Sequence, residues 1–228
     1  MRKLVLFDID GTLVLTGGAG VRAMTRACDE IVGSSDALNG ISVAGRTDWI
    51  ILHDALRVMG HELDVELFQQ LRDRYVLHLR EEINAPGRGV KGVMPGIRVL
   101  LDELHQRDDV LLGLLTGNFE AGARIKLEYF DLWRYFRCGA FGDDAPERDA
   151  LVPFAVTRAR EYGITELPPP DIFVVGDTPH DISCALAVGA TPVGVATGSF
   201  TTEQLQVSGA EIVFRDLSDT AAFIALLK

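Results

Sequence analysis

Short blocks of apolar residues punctuate the chain, most of them closed by Gly, Asp or Thr and followed by a stretch with helical spacing of its apolar positions. Blocks of that length suit strands buried on both faces, and the periodic stretches suit amphipathic helices. The alternation therefore predicts an α/β fold with a doubly wound parallel sheet. Strands are expected at Leu4–Phe7, Val110–Leu115, Phe136–Ala140, Ile172–Val175, Pro192–Val195 and Ile212–Phe214. Helices are expected over about Ile97–Gln106, Glu120–Tyr129, Asp149–Tyr162, Asp181–Val188 and Asp219–Leu227.

The alternation lapses between about Thr16 and Asn84, where three helical patterns follow one another with no convincing strand. In the third, Leu63, Leu67, Leu71, Tyr75 and Leu79 stand four apart, while Gln69, Gln70, Arg72, Asp73 and Arg74 take the other faces, which is a packing stripe. The interval reads as an inserted α-helical cap domain, residues 16–84, in a discontinuous Rossmann-like core, residues 1–15 and 85–228. A chain of 228 residues accommodates one such core and a smaller insertion. Pro86, Gly87 and Gly89, in the run Asn84 to Gly89, suit a connector that changes its backbone angles where the cap rejoins the core.

Apolar residues make up 47% of the chain and charged ones 24%, the balance of a folded soluble enzyme. The formal net charge of -11 disfavours phosphodiester backbones and anionic lipid, and no Lys/Arg run offers a local basic patch, so neither nucleic acid nor membrane is an expected partner. The longest apolar runs, such as Val110 to Leu115, are far too short to cross a bilayer, and the amino terminus leads straight into a strand. Cys28, Cys138 and Cys184 lack CxxC spacing, and a reduced cytoplasmic setting is expected. Thiol-based phosphoryl chemistry needs an Arg six residues after its Cys, where this chain has Ser34, Asp144 and Ala190.

The candidate chemistry gathers at strand ends. Phe7-Asp8-Ile9-Asp10-Gly11-Thr12 places two carboxylates two residues apart beside a Gly-Thr turn. One carboxylate can attack phosphorus while the other manages the leaving-group proton, and the amides of the turn can point at phosphoryl oxygens. Leu115-Thr116-Gly117-Asn118 adds a hydroxyl and further turn amides, so Thr116, Gly117 and Asn118 are candidates for holding a phosphoryl group. Gly176-Asp177-Thr178-Pro179-His180-Asp181 ends another apolar run with two more acids. In an open α/β sheet such ends converge on one crevice. In the helical interval, Gly45-Arg46-Thr47-Asp48 is a polar loop where Arg46 either meets a substrate carboxylate or lies solvated beside a helix capped by Thr47. His180 stands within reach of the same crevice, while the other histidines lack zinc-ligand spacing.

Asp8-x-Asp10-Gly11-Thr12, Thr116, and Gly176-Asp177 with Asp181 together resemble the ordered motifs of the haloacid dehalogenase superfamily, over a core from Leu4 to about Val195. The helical interval resembles the cap of its phosphoglycolate-phosphatase-like branch. The resemblance implies a phosphoric monoester hydrolase in which Asp8 is the nucleophile that becomes an aspartyl-phosphate, Asp10 the acid and then base, and Thr116 a phosphoryl ligand. It further implies Asp177 as a Mg2+ ligand and Asp181 as support for the metal site. Several carboxylates facing a phosphate dianion repel it unless a divalent cation stands between them, and Asp8, the Asp10 carbonyl and Asp177 make a reasonable oxygen set for magnesium. One departure is plain: the family pattern has a Lys before the helix preceding the last motif, and this chain offers Arg148, with Lys126 and Lys91 as weaker substitutes. Arginine keeps the charge and adds a planar fork. The expected partner is a small phosphorylated metabolite. A phosphomutase or phosphonatase of the same superfamily, or a slow-turnover phosphorylatable switch, are the competing readings.

Overall fold

The computed structural model describes residues 2–62, 64–87, 89–164 and 166–228. The elements run β1 (Lys3–Phe7), β2 (Val14–Thr16), α1 (Ala19–Val32), α2 (Asp48–Val58), α3 (Val65–Glu82), β3 (Lys91–Val93), α4 (Ile97–His105), β4 (Val110–Leu115) and α5 (Glu120–Tyr129). They continue with β5 (Cys138–Ala140), α6 (Val152–Arg160), β6 (Ile172–Gly176), α7 (Pro179–Leu186), β7 (Thr191–Val195), α8 (Thr202–Val207), β8 (Ile212–Phe214) and α9 (Thr220–Ala225).

Six strands form one parallel sheet in the order β5-β4-β1-β6-β7-β8. From β1 the chain builds outward through β4 to β5, then returns to lay β6 against the other side of β1. Phe7 is thus in register with Leu114 of β4 and Val175 of β6. The place where strand order reverses lies beyond the carboxyl ends of β1, β4 and β6, which is where ligands settle in such sheets. Alternate residues face opposite layers. Val5, Phe7, Leu112, Leu114, Phe173 and Val175 pack with α4, α5 and α9, whereas Leu4, Leu6, Ile172 and Val174 pack with α6 and α7.

Between β2 and β3, helices α1, α2 and α3 have a hydrophobic cluster of their own, including Met24, Leu52, Leu56, Leu71, Tyr75 and Leu79. Phe119, from the loop after β4, is buried in that cluster, so the helical layer is seated directly over the strand ends. Of the expected packing stripe, Leu71, Tyr75 and Leu79 are buried and Leu67 packs against the cluster; Leu63 lies outside the described residues. The two chain crossings into this layer run side by side: the Gly17 amide donates to the Val90 carbonyl (3.0 Å), and a Cβ on Gly87 would sit 2.4 Å from the Gly17 carbonyl oxygen.

Several expected boundaries move. The antiparallel pair β2/β3 was not foreseen, nor was α8. Strand β5 begins at Cys138 rather than Phe136, and the helix expected from Asp149 is a 3₁₀ turn, Arg148–Ala150, followed by α6 at Val152. Helix α7 starts two residues early because Pro179 occupies its first turn and Asp181 caps it from the third position, accepting from the Thr178 amide at 3.0 Å. No helix among the described residues is long and apolar enough to cross a membrane.

Candidate active site

Asp8 follows the last residue of β1, and its amide donates to the Val175 carbonyl (2.9 Å), which fixes the start of the Asp8-to-Thr12 turn between the two neighbouring strands. Gly11 makes the turn with φ 88°, in the left-handed region where a side chain is strained. The Gly11 carbonyl accepts from the Thr197 hydroxyl at 2.6 Å. Asp177, at the end of β6, is cradled by this turn. The Thr12 hydroxyl donates to its Oδ1 (2.9 Å), and a Cβ on Gly11 or Gly198 would lie 2.5 or 1.7 Å from its Oδ2. Both glycines are therefore required by the closeness of that carboxylate.

Asp8, Asp177 and Asp181 each offer an oxygen within 4.8 Å of the other two, and all three are buried. Arg148 enters this group from the 3₁₀ turn before α6. Its Nη2 stands 3.0 Å from Asp8 Oδ1 and also donates to Asp181 Oδ1 and to the Leu115 carbonyl (3.3 Å). Asp181 Oδ2 accepts from the Thr178 amide and hydroxyl, so both of its oxygens are already engaged. One guanidinium does not balance the cluster. Burial pushes the Asp8 carboxyl up to about 6, with Arg148 opposing and Asp181 and Asp10 adding to the rise. Burial and then the Asp8 and Asp181 charges push Asp177 up to about 8.

Asp10 stands outside that cluster. Its Oδ2 accepts from Lys126 Nζ (2.6 Å) and Asn118 Nδ2 (2.8 Å), while Asn118 Oδ1 accepts from Lys126 at 2.6 Å. Asn118 Nδ2 also donates to the Thr116 hydroxyl at 2.7 Å, which ties the β4 end to Asp10. Above them, Asp48 at the start of α2 accepts from the Phe119 amide at 2.9 Å. The loop leading to it is pressed onto the sheet ends. The Asp48 amide donates to the Gly117 carbonyl (2.7 Å), the Thr47 hydroxyl to the Pro146 carbonyl (2.5 Å), and Arg148 Nη1 to the Gly45 carbonyl (3.2 Å). A Cβ on Gly117 would meet the Arg46 carbonyl oxygen at 2.1 Å, so this contact demands glycine there. Asp8, Asp10, Thr116, Gly117, Asn118, Arg148 and Asp177 all line one cavity of about 440 Å³ between the sheet ends and the helices.

The structure places three further residues named from the sequence. Arg46 lines the cavity, with its guanidinium held by Asp54 Oδ2 (2.5 Å) and the Ser42 carbonyl (3.0 Å). Lys126, a weaker substitute for Arg148 by sequence, is a buried partner of Asp10, on a different side of the site from Arg148. His180 packs on Gly45 and is not among the cavity-lining residues. Asp48, Tyr75 and Thr12 appear in the sequence only as a loop, packing-stripe and turn residue, and none carries a site role there. As a helix cap, Thr47 accepts from the Ile50 amide at 3.2 Å.

Asp48 yields a pH prediction. Burial pushes its carboxyl up to about 6, with Lys126 and the Phe119 amide acting the other way. A folded value above the unfolded one means that the linked stability is fully present below about pH 4 and lost as pH rises through about 6. Asp48→Asn escapes that loss. Relative to the wild-type chain it is expected to gain about 2–3 kcal/mol between about pH 4 and 7, read as the difference of two urea unfolding free energies. A difference that stays constant over this window would contradict the assignment.

The full length of the chain aligns with the "Probable phosphatase IndB" of Dickeya dadantii, at 28% identity over 238 residues and covering 96% of that protein. It also aligns with the phosphoglycolate phosphatase of Photorhabdus laumondii, at 24% identity, covering 98% of this chain and 93% of the relative. Among solved structures, a hydrolase from Pseudomonas syringae superposes with a TM-score of 0.68 at 20% identity, over 100% of both chains. CbbY from Rhodobacter sphaeroides, solved in complex with phosphate, superposes with a TM-score of 0.68 at 18% identity, over 96% of each chain. Those two likenesses establish the fold. The model of the haloacid dehalogenase-like hydrolases matches residues 5–186, a span that takes in Asp8, Thr116, Arg148, Asp177 and Asp181, and the chain belongs to that family.

Proposed function

We propose that the chain is a magnesium-dependent phosphatase that hydrolyses a small phosphate monoester through an aspartyl-phosphate on Asp8. The observation that carries the reading is the pairing of Asp8 with two different neighbourhoods at the strand ends. On one side lie Asp177, Asp181 and Arg148, and on the other Asp10 with Lys126 and Asn118. The names of the relatives agree with phosphate ester chemistry.

In this reading an Asp8 oxygen attacks phosphorus, the P–O bond to the organic alcohol breaks, and Asp10 gives the departing oxygen its proton. Asp10 then takes a proton from the water that attacks the phosphoryl group, releasing phosphate and restoring the Asp8 carboxylate. Lys126 and Asn118 hold the Asp10 carboxyl at its post, and Thr116 with the Gly117 and Asn118 turn orients phosphoryl oxygens. Arg148 keeps Asp8 aligned while Asp181 keeps Arg148 in place.

The donor set fits a divalent cation: three buried carboxylates share one guanidinium, and two of them are pushed toward protonation by burial and mutual repulsion. Asp8, Asp177 and the Asp10 carbonyl would hold magnesium, with Asp181 supporting them. When bound, the ion would supply charge neutralisation between the carboxylates and the substrate dianion. The helical segment serves as the cap, bringing Gly45 to Asp48 over the sheet ends to exclude bulk water.

The test is phosphate release from a panel of phosphorylated metabolites. Repeated turnover is expected with magnesium, background release with excess chelator, and inhibition by calcium, whose looser coordination suits the site less. A single burst equal to the enzyme concentration, with no further release, would overturn the phosphatase reading in favour of a phosphorylatable switch. Asp10→Asn is expected to slow turnover by about 10²- to 10⁴-fold, the range of a lost general acid/base, while still permitting covalent labelling of Asp8 by reactive phosphodonors, detected as a mass increase. A variant that turns over normally would remove Asp10 from the mechanism.

A further inference from the structure

Away from the strand ends, the cavity changes character. Its remaining walls are largely apolar, formed by Leu15, Val21, Met24, Leu38, Val43 and Ile51. At its rim Val21, Val43 and Val90 are 43%, 38% and 74% exposed, so apolar surface is left facing solvent where a ligand would enter. Among the described residues the cavity-lining cations are Arg46, Lys126 and Arg148, and each already has a carboxylate partner: Asp54 at 2.5 Å, Asp10 at 2.6 Å, and Asp8 at 3.0 Å. Asp48 adds a buried carboxylate to the same lining.

We infer that the organic portion of the substrate is an uncharged, apolar alcohol larger than glycolate, seated against the α1 and α2 side of the cavity; this rests on the phosphomonoester reading above. A carboxylate on the organic portion would enter a partly dehydrated space beside Asp10 and Asp48 with every described cation already paired, and an unpaired buried charge is strongly disfavoured. A two-carbon group would also leave most of the roughly 440 Å³ to water, whereas an apolar chain releases that water and covers the exposed Val21 and Val43 and the half-buried Leu15. The relative named phosphoglycolate phosphatase is 24% identical to this chain, and that likeness does not fix the organic specificity.

The experiment compares kcat/KM for n-hexyl phosphate, ethyl phosphate and 2-phosphoglycolate with magnesium present. The two alkyl leaving groups have similar basicity, so their ratio reports burial of the chain rather than ease of bond breaking. Hexyl phosphate is expected to exceed ethyl phosphate by about tenfold or more, given roughly fourfold per fully buried methylene, and to exceed phosphoglycolate as well. Val43→Arg, at an exposed rim position, should shift the ratio of hexyl phosphate to phosphoglycolate toward the acid by about tenfold. Faster hydrolysis of phosphoglycolate than of hexyl phosphate, or equal rates for the two alkyl esters, overturns the inference and leaves the phosphatase reading intact. Failure to hydrolyse any of the three, or the activated ester p-nitrophenyl phosphate, overturns both.

Discussion

Asp8→Asn is expected to lower kcat by about 10⁴-fold or more while the protein still folds. The amide has the carboxylate's shape and almost its volume, so the β1 end and the turn through Gly11 have no reason to move. What disappears is the anionic oxygen that attacks phosphorus in the proposed mechanism. The effect on stability should be small because two changes oppose each other. At neutral pH the wild-type protein carries a buried Asp8 charge whose carboxyl is pushed up to about 6, and the amide removes that burden. Against this, Arg148 loses one of its two carboxylate partners, but Asp181 remains on the same nitrogen. Thermal unfolding within a few degrees of the wild-type chain, together with no phosphate release and no covalent labelling, is the expected outcome. Turnover within tenfold of wild type would dismiss Asp8 as the nucleophile.

The parts of this site that were legible in the sequence are those where chemistry coincides with a strand end. Asp8, Thr116 and Asp177 each terminate an apolar run, and a parallel sheet places the carboxyl ends of its strands along one edge, so their convergence follows from topology. Arg148 was legible through its place in the motif order. Residues whose role depends on burial were not. Lys126 lies on α5 between Ile125 and Leu127, where an amphipathic helix could equally well turn a lysine to water; the seating of α1, α3 and the loop after β4 against α5 encloses it. Asp48 reads as a first-turn acid of a well-capped helix, which it is, and nothing local reveals that the Phe119 amide waits across the interface. The partner of Arg46 was hidden for the converse reason, since Asp54 is on the same short stretch but eight residues further on, inside α2. Strands β2 and β3 are three residues each and too short to carry a period, so their pairing is visible only once both chain crossings are brought together.

The largest stability effect is expected from Arg148→Met. The guanidinium is buried, and it is the positive charge among Asp8, Asp177 and Asp181. Burial alone would disfavour its charge, but Asp181 and Asp8 outweigh that and push its ionisation above the ordinary arginine range. A methionine fills much of the space and satisfies none of the electrostatics: Asp8 and Asp181 are left as buried carboxylates without a counter-charge, and the Leu115 and Gly45 carbonyls lose a donor. Breaking a buried ion pair from one side typically costs about 3–5 kcal/mol, and that is the loss expected in urea unfolding at neutral pH with chelator present. The loss must shrink on acidification. Folded carboxylates whose ionisation is raised give stability at low pH that fades as pH rises, so removing Arg148, which raises them further, hurts least near pH 4 and most at neutral pH. Arg148→Lys separates charge from shape. It restores a cation to Asp8 and Asp181 and deletes the buried Nε, which has no partner, but it gives up the fork that reaches Gly45. Lys should therefore recover most of the stability and a measurable share of turnover, whereas Met recovers neither. An Arg148→Met protein as stable as wild type at neutral pH would mean that the three carboxylates are not held together by this charge, and the assignment of Arg148 to the position of the family's lysine would fail with it.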